Sequence, residues 1–111
     1  MPVEVLIDDV SEGSTSIVTV AFTDENGSPF VPTEVYAQID CDTEGSAIRA
    51  ETIVSSPASS MQITVTPAEN DIHDTTNEFE IHEITIRATY GTGQQLTGNA
   101  KWKVRNLEYL P

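Results

Sequence analysis

The stretch that decides the fold is RATYGTGQQLTGNAKWKVRNL, residues 87–107 of a chain of 111 residues. Apolar and basic side chains alternate in its second half, Ala100, Trp102 and Val104 with Lys101, Lys103 and Arg105. Successive side chains of a β-strand point to opposite faces, so the apolar set faces a core and the basic set faces outward. The GTGQQ segment supplies the glycines of a tight turn. The stretch therefore predicts a half-buried strand that follows a hairpin turn.

The rest of the chain repeats this alternation in short runs, and none of it carries the apolar stripe of a helix. The runs are Val3 to Ile7, Val18 to Phe22, Val35 to Cys41, Ile48 to Val54, Met61 to Val65 and Phe79 to Tyr90. Turn residues separate them, for example Asn26-Gly27 in DENGSP. The pattern predicts an all-β protein: a single antiparallel, immunoglobulin-like β-sandwich domain of about seven strands over residues 1–111.

The apolar face changes within EFEIHEITIRATYG. Phe79 and Ile81 fall on one face of the predicted strand, whereas the apolar residues from Ile84 to Tyr90 fall on the other. An extra residue in one strand of a pair produces such a change. We therefore expect a β-bulge or a bend near His82 and Glu83.

Charge and cysteine content exclude several classes of protein. With 5 basic and 18 acidic residues, the net charge of −13 should repel phosphate backbones and anionic lipids, so neither nucleic acid nor a membrane is an expected partner. The single Cys41 cannot build a disulfide framework, which indicates folding in a reducing compartment. We expect it to be a buried thiol with no histidine placed beside it. The opening MPVEVLIDDV lacks the features of a signal peptide.

Ionisable residues are densest in one polar segment and the strand after it. They are Asp71, His73, Asp74, Glu78, Glu80, His82 and Glu83. Their spacing matches no metal-ligand motif, and no Ser-His-Asp or Cys-His order is present. We therefore predict no catalytic residue, no cofactor and no metal site, and a segment 71–83 that is structural or solvated. A metal-dependent or hydrolytic enzyme centred on His73 and His82 is the minority alternative, and binding of a metal ion by segment 71–83 stays open.

Short motifs link the chain to a known group of proteins. ITVTPAEN ends one predicted strand, TN lies in the loop after it, an aromatic residue and glycine end the next strand, and W-x-V-R-N-L lies in the last. In this order, over about residues 33–107, they resemble small structural-module proteins of tailed bacteriophages and prophages. The resemblance implies a virion part synthesised in the host cytoplasm. It brings no catalytic residues.

From this resemblance we expect a structural virion protein. The favoured role is a capsid decoration or cement module that binds the head shell, with the major capsid protein as partner. The alternative is a tail or baseplate accessory module that recognises a host surface or another tail protein. Association into a homo-oligomer on the particle stays open.

Two sets of residues near the C-terminus are the predicted partner-binding site. The set comprises the cations Lys101, Lys103 and Arg105 and the apolar residues Leu107, Tyr109 and Leu110. In so acidic a chain the cations form a surface that an acidic partner can approach, and exposed apolar ends can dock onto a neighbour. The alternative is that the cations neutralise carboxylates of their own sheet.

Overall fold

The computed structural model describes residues 3–108, which form eight strands in two sheets and contain no helix that could span a membrane. The strands are β1 (Val3–Leu6), β2 (Val10–Ser11), β3 (Ser16–Phe22), β4 (Glu34–Cys41), β5 (Ser46–Val54), β6 (Ser60–Val65), β7 (Phe79–Tyr90) and β8 (Gln94–Arg105). One sheet has the order β1-β3-β6, and the other has the order β2-β8-β7-β4-β5. The predicted all-β sandwich is confirmed.

One apolar core fills the space between the sheets. Its buried members are Val18, Val20, Phe22, Val35, Ala37, Ile39, Met61, Ile63, Val65, Ile72, Ile84, Ile86, Ala88, Trp102 and Val104. Trp102, which is 1% exposed, is the largest fully buried side chain. Its indole N–H donates to Asn70 Oδ1 at 2.9 Å, so the one polar atom of the ring is satisfied. Trp102 and Val104 therefore face inward as predicted.

The β7–β8 hairpin is the longest paired element. Its two strands of twelve residues keep a continuous register from Phe79 opposite Arg105 to Tyr90 opposite Gln94. A three-residue loop joins them, and Gly91 and Gly93 in it adopt φ values of +56° and +71°. Only glycine adopts such values without a steric cost, which explains the GTG sequence. The predicted hairpin is confirmed.

The bulge predicted near His82 and Glu83 is wrong. β7 pairs with β4 and with β8 without a shift of register. Glu80 and His82 continue the inward face and are fully buried, whereas Phe79 is 41% exposed on the outer face. The physical reason is that a neighbouring loop donates hydrogen bonds to Glu80, so a carboxylate takes a position that alternation assigns to an apolar residue.

The prediction of a wholly antiparallel sandwich is wrong. The exception is β2, a short strand that the sequence pattern did not predict. β2 pairs in parallel with Val104 and Arg105 of β8. The chain leaves β1 on the first sheet and crosses to the edge of the second, where Asp9 Oδ1 accepts the Lys103 backbone N–H at 2.7 Å. This hydrogen bond holds the segment between β1 and β2 against one end of β8.

The Asn26-Gly27 turn forms but does not close a hairpin of two long strands. Asp24 Oδ1 accepts the backbone N–H groups of Asn26 and Ser28, both at 2.9 Å, and Gly27 has φ +81°. The flanking pairing is an isolated bridge from Thr23 to Pro29. Because β3 and β4 belong to different sheets, this turn starts a crossover between the two layers.

Trp102→Ala should lower the free energy of unfolding by about 3–5 kcal/mol, because it empties the centre of the core and leaves Asn70 Oδ1 without its donor. Lys103→Ala, one position along the same strand, should cost well under about 1 kcal/mol. Denaturant titrations of both variants measure this. Equal losses would contradict the inward and outward assignments.

Candidate functional site

The three predicted cations of β8 lie exposed on the outer face of the five-stranded sheet. Lys101 Nζ lies 3.2 Å from Asp42 Oδ2, and Lys103 Nζ lies 4.3 Å from the centre of the Phe79 ring. The structure thus supports neutralisation within the sheet for Lys101 and a cation–π contact for Lys103. Neither contact buries its cation.

The predicted apolar tail is described only at its first residue. Leu107 is 64% exposed, and its backbone N–H donates to Glu12 Oε1 at 2.9 Å. Tyr109 and Leu110, the other two predicted docking residues, lie outside the described residues. Leu107 therefore lies just beyond the end of β8 that pairs with β2.

Along most of its outer edge β8 has no hydrogen-bonded partner strand, although the Val3 and Val5 side chains of β1 lie next to its Gly98. The Lys103 N–H and the Arg105 C=O both point away from β7, since they bond to Asp9 and to the Glu12 N–H. Backbone direction alternates along a strand, and the register with β7 is continuous. The groups that point outward are therefore those of Gln95, Thr97, Asn99 and Lys101. Among residues 3–108, β2 is the strand that pairs on this side, and it reaches only Val104 and Arg105. We call Gln94–Lys101 the open edge.

On the opposite side of the sandwich an arginine bridges the two edge strands. Arg49 of β5 donates from Nε and Nη2 to the Glu69 carboxylate at 2.6 and 2.5 Å, and from Nη2 to the Thr64 carbonyl oxygen at 2.9 Å. Thr64 belongs to β6, the edge strand of the other sheet, so one guanidinium connects both edges. Burial raises the Glu69 pKa, but hydrogen bonds from Arg49 and Thr66 outweigh it and lower the pKa below the ordinary value. Sequence alternation gave no signal for this contact.

β5 also carries features that discourage pairing with another chain. Its register with β4 shifts between Ala37 and Ile39 and again before Asp40. Glu51 on the same strand forms an ion pair with Arg87. Irregular register and charged residues are common means of protecting sheet edges. The open edge of β8 has a regular register, and only Lys101 at its end is charged.

A shallow groove lies where β2 meets β8. It has a volume of about 270 Å³ and is lined by Asp9, Val10, Ser11, Lys103 and Arg105. Two of the predicted partner-binding cations therefore line a concave surface at one end of the open edge. The groove and the open edge together form the candidate binding surface.

A second group of functional side chains is buried at the junction of β4, β7 and the loop before β7. Cys41 and His82 are register partners on adjacent strands, which corrects the expectation that no histidine lies beside this thiol. Glu80 Oε1 lies 3.7 Å from Cys41 Sγ and 3.5 Å from His82 Nε2. All three residues are fully buried. The sequence analysis missed this group because Cys41 is remote from the acidic segment in the chain.

The surrounding loop decides the charge state of these residues. Burial raises the Glu80 pKa, but N–H donation from His73, Asp74 and the Asn77 amide outweighs it and holds the pKa below the ordinary value. Burial lowers the His82 pKa, because the protein interior disfavours the imidazolium. Burial likewise raises the pKa of the Cys41 thiol. The group therefore consists of a carboxylate, a neutral imidazole and a protonated thiol.

Comparisons with known proteins bear on the fold and not on a family. No family model and no curated protein matches this chain. The crystal structure of the periplasmic chaperone SfaE is similar, with a TM-score of 0.52 and 11% sequence identity, over 99% of this chain and 59% of that one. The chain thus spans about three fifths of the length of that structure. At this identity the likeness shows the β-sandwich fold alone.

The predicted function as a virion decoration module is contradicted by this comparison, and so is the alternative tail or baseplate module. The similar structure is a chaperone and not a virion protein. The motifs behind the resemblance are explained by local structure, since Thr66 and Glu69 of ITVTPAEN cap one turn and Asn70 binds Trp102. Phage origin, a virion location, a capsid partner and the absence of enzyme activity stay predictions.

Acid should destabilise this protein through His82 and Glu80, whose pKa values are both lowered by folding. A group with a lowered pKa stabilises the native state above its unfolded value, about 6.5 for His and 4.3 for Glu, and this contribution is lost as the pH falls. The free energy of unfolding should therefore decline below about pH 6.5 and more steeply near pH 4.

Denaturant titrations at several pH values check this, and His82→Phe should remove the decline that begins below about pH 6.5 while keeping the one near pH 4. Glu80→Gln should cost about 1–3 kcal/mol at neutral pH for each buried donor left unpaired. A flat pH profile in the wild type would refute the assigned charge states.

Proposed function

We propose that this domain binds an extended polypeptide segment of a partner by strand addition along the open edge of β8. The observation that carries the proposal is the row of outward backbone groups at Gln95, Thr97, Asn99 and Lys101 on an edge of regular register. Each of these residues offers one N–H and one C=O to an added strand. Main-chain hydrogen bonds of this kind supply affinity, and side-chain contacts supply specificity.

The charge distribution favours an acidic segment. The chain carries a net charge of −13, yet Lys101, Lys103 and Arg105 all lie on the edge strand itself. Residues at one end of an added strand would lie beside Lys101, within the reach of cross-strand pairs, and would point toward Lys103 and Arg105 in the groove beyond it. Opposite charges there guide approach and suppress the wrong register. Acidic side chains are therefore expected on the outward face of the bound segment.

The fold likeness gives the proposal a second, weaker support. SfaE is by its title a periplasmic chaperone, and a polypeptide ligand is what that word implies. The immunoglobulin-like classification of the sandwich is a proposal of the same kind. It is supported by the facing sheets of three and five strands and by the likeness to SfaE, whereas the parallel β2–β8 pair departs from the predicted arrangement.

Thr97→Pro should abolish strand addition and leave the fold intact. Proline removes a backbone N–H that points to the open edge, and proline is tolerated on the free side of an edge strand. The probe is a synthetic peptide in which valine alternates with threonine and glutamate, followed by amide chemical shifts and hydrogen exchange of the protein. The wild type should show shifts and slowed exchange confined to β8.

Thr97→Ala is the matched control, because it changes the same side chain and keeps the N–H. It should bind the peptide as the wild type does, and thermal melting should show that both variants fold. Binding that survives Thr97→Pro, or shifts centred on β5, would contradict strand addition at the open edge.

Reversing the charges in Lys101→Glu/Lys103→Glu should weaken binding of the same peptide by about tenfold at low salt and less at high salt, because screening removes the attraction. Arg87→Glu changes a cation on the same sheet face but on β7, away from the edge, and should alter affinity little. Titrations by fluorescence anisotropy of labelled peptide compare them. Equal losses in both variants would point to a general charge effect instead of a site on β8.

A further inference from the structure

The fully buried residues Cys41, Glu80 and His82 present three different ligand atoms to one point. The thiol sulfur, a carboxylate oxygen and an imidazole nitrogen all lie within 4.8 Å of one another. The separations from Glu80 Oε1 are 3.7 Å to Cys41 Sγ and 3.5 Å to His82 Nε2. We call these three residues the buried cluster.

His82 is the feature that packing alone does not explain. Its side chain is fully buried, and within residues 3–108 neither Nδ1 nor Nε2 has a hydrogen-bond partner. Buried polar atoms are nearly always paired, so an imidazole with two unpaired nitrogens is a costly choice for a core position. Its Nε2 lies 3.5 Å from Glu80 Oε1, so in the tautomer with the proton on Nδ1 the Nε2 lone pair is directed at the cluster.

We propose that the buried cluster is a binding site for one divalent metal ion of the Zn²⁺ type, held by Cys41 Sγ, Glu80 Oε1 and His82 Nε2. Zinc accepts sulfur, nitrogen and oxygen ligands at about 2.0–2.3 Å, so ligand atoms at the corners of a tetrahedron lie about 3.3–3.7 Å apart. The two separations from Glu80 Oε1, 3.7 Å to Cys41 Sγ and 3.5 Å to His82 Nε2, match this spacing. A set with one thiolate and one imidazole favours Zn²⁺ over Mg²⁺ or Ca²⁺, which prefer oxygen.

The loop before β7 provides the outer support that such a site needs. The His73 N–H donates to Glu80 Oε1 and the Asp74 N–H to Oε2, both at 2.8 Å, and the Asn77 amide donates to Oε2 at 3.1 Å. These bonds fix the orientation of the carboxylate and leave it anionic. Groups that orient ligands in this way are a regular part of metal sites.

Metal binding requires the transfer of one proton. The Cys41 thiol loses its proton to solvent, the sulfur–metal bond replaces the contact to Glu80, and the neutral His82 donates a nitrogen lone pair with no further change. His73 is not a ligand in this arrangement. Its ring centre lies 5.7 Å from that of His82, and its Nδ1 lies 3.2 Å from Ser46 Oγ.

The test uses the whole chain, unfolded, treated with chelator and refolded with Zn²⁺ or Co²⁺ so that a buried site can load. The expected result is one equivalent of metal per chain, a melting temperature raised by several degrees, and a thiolate-to-Co²⁺ charge-transfer absorption. Metal should also change the emission of Trp102, whose ring centre lies 5.7 Å from that of His82. A metal ion that binds the native state and not the unfolded state raises the melting temperature in this way.

Variants separate the proposal from a cluster that merely packs. Cys41→Ala should fold, lose the charge-transfer band and lose the thermal response. His82→Phe should keep the packing against Trp102, remove two unpaired nitrogens and thereby melt higher than the wild type without metal, yet gain nothing from Zn²⁺. His73→Gln is the control and should respond to metal as the wild type does.

A wild type that binds no stoichiometric metal after refolding would overturn the proposal, as would a charge-transfer band or thermal response that persists in Cys41→Ala. Loss of the response in His73→Gln would also overturn it, because the ligand set would then differ from the one assigned. These outcomes leave strand addition at β8 unaffected, since that site shares no residue with the buried cluster.

Discussion

The buried carboxylate of Glu80 is the constraint on which one end of this molecule depends. A charge can occupy a core position only if donors replace the water it has lost, and here the donors come from residues 73–77, three to seven positions earlier in the chain. The polar segment before β7 is thereby held against the sandwich. Asn106 assists from β8's far end, since its amide donates to the carbonyl oxygens of Thr75 and Asn77.

Residues just before this segment support one side of the sandwich. Glu69 binds Arg49, which bridges β5 and β6, and Asn70 accepts from Trp102 and donates to the Ser14 carbonyl and the Ser16 hydroxyl. These contacts secure the β5–β6 side and one end of the core. The long outer edge of β8 lies on the other side, beyond the reach of this segment, and β2 covers only its last two residues. The two sides therefore differ: an arginine held by Glu69 bridges β5 and β6, whereas most of the outer edge of β8 has no paired strand.

The sequence predicted those features that depend on local alternation and missed those that depend on contacts between distant segments. The inward position of Trp102 follows from the period of two, and so does the outward position of Lys101. Alternation gave the wrong burial for Glu80 and His82, because it treats polar residues as exposed. It takes no account of hydrogen-bond donors that a loop supplies to a buried side chain. Cys41 and His82 are adjacent only through strand pairing, which spacing along the chain does not reveal. The motif resemblance failed as a guide to function because its residues serve turns and packing.

The distribution of the five basic residues connects the fold to the proposed binding surface. Arg49, Arg87 and Lys101 each pair with a carboxylate, whereas Lys103 lies over an aromatic ring and lines the groove with Arg105. Elsewhere the surface is dominated by acidic groups that repel an acidic chain. An acidic segment is therefore repelled from most of the sandwich and attracted where β8 leaves the groove and becomes an open edge. Because the first contacts form at that end, strand addition along β8 is expected to proceed from Lys103 toward the hairpin turn.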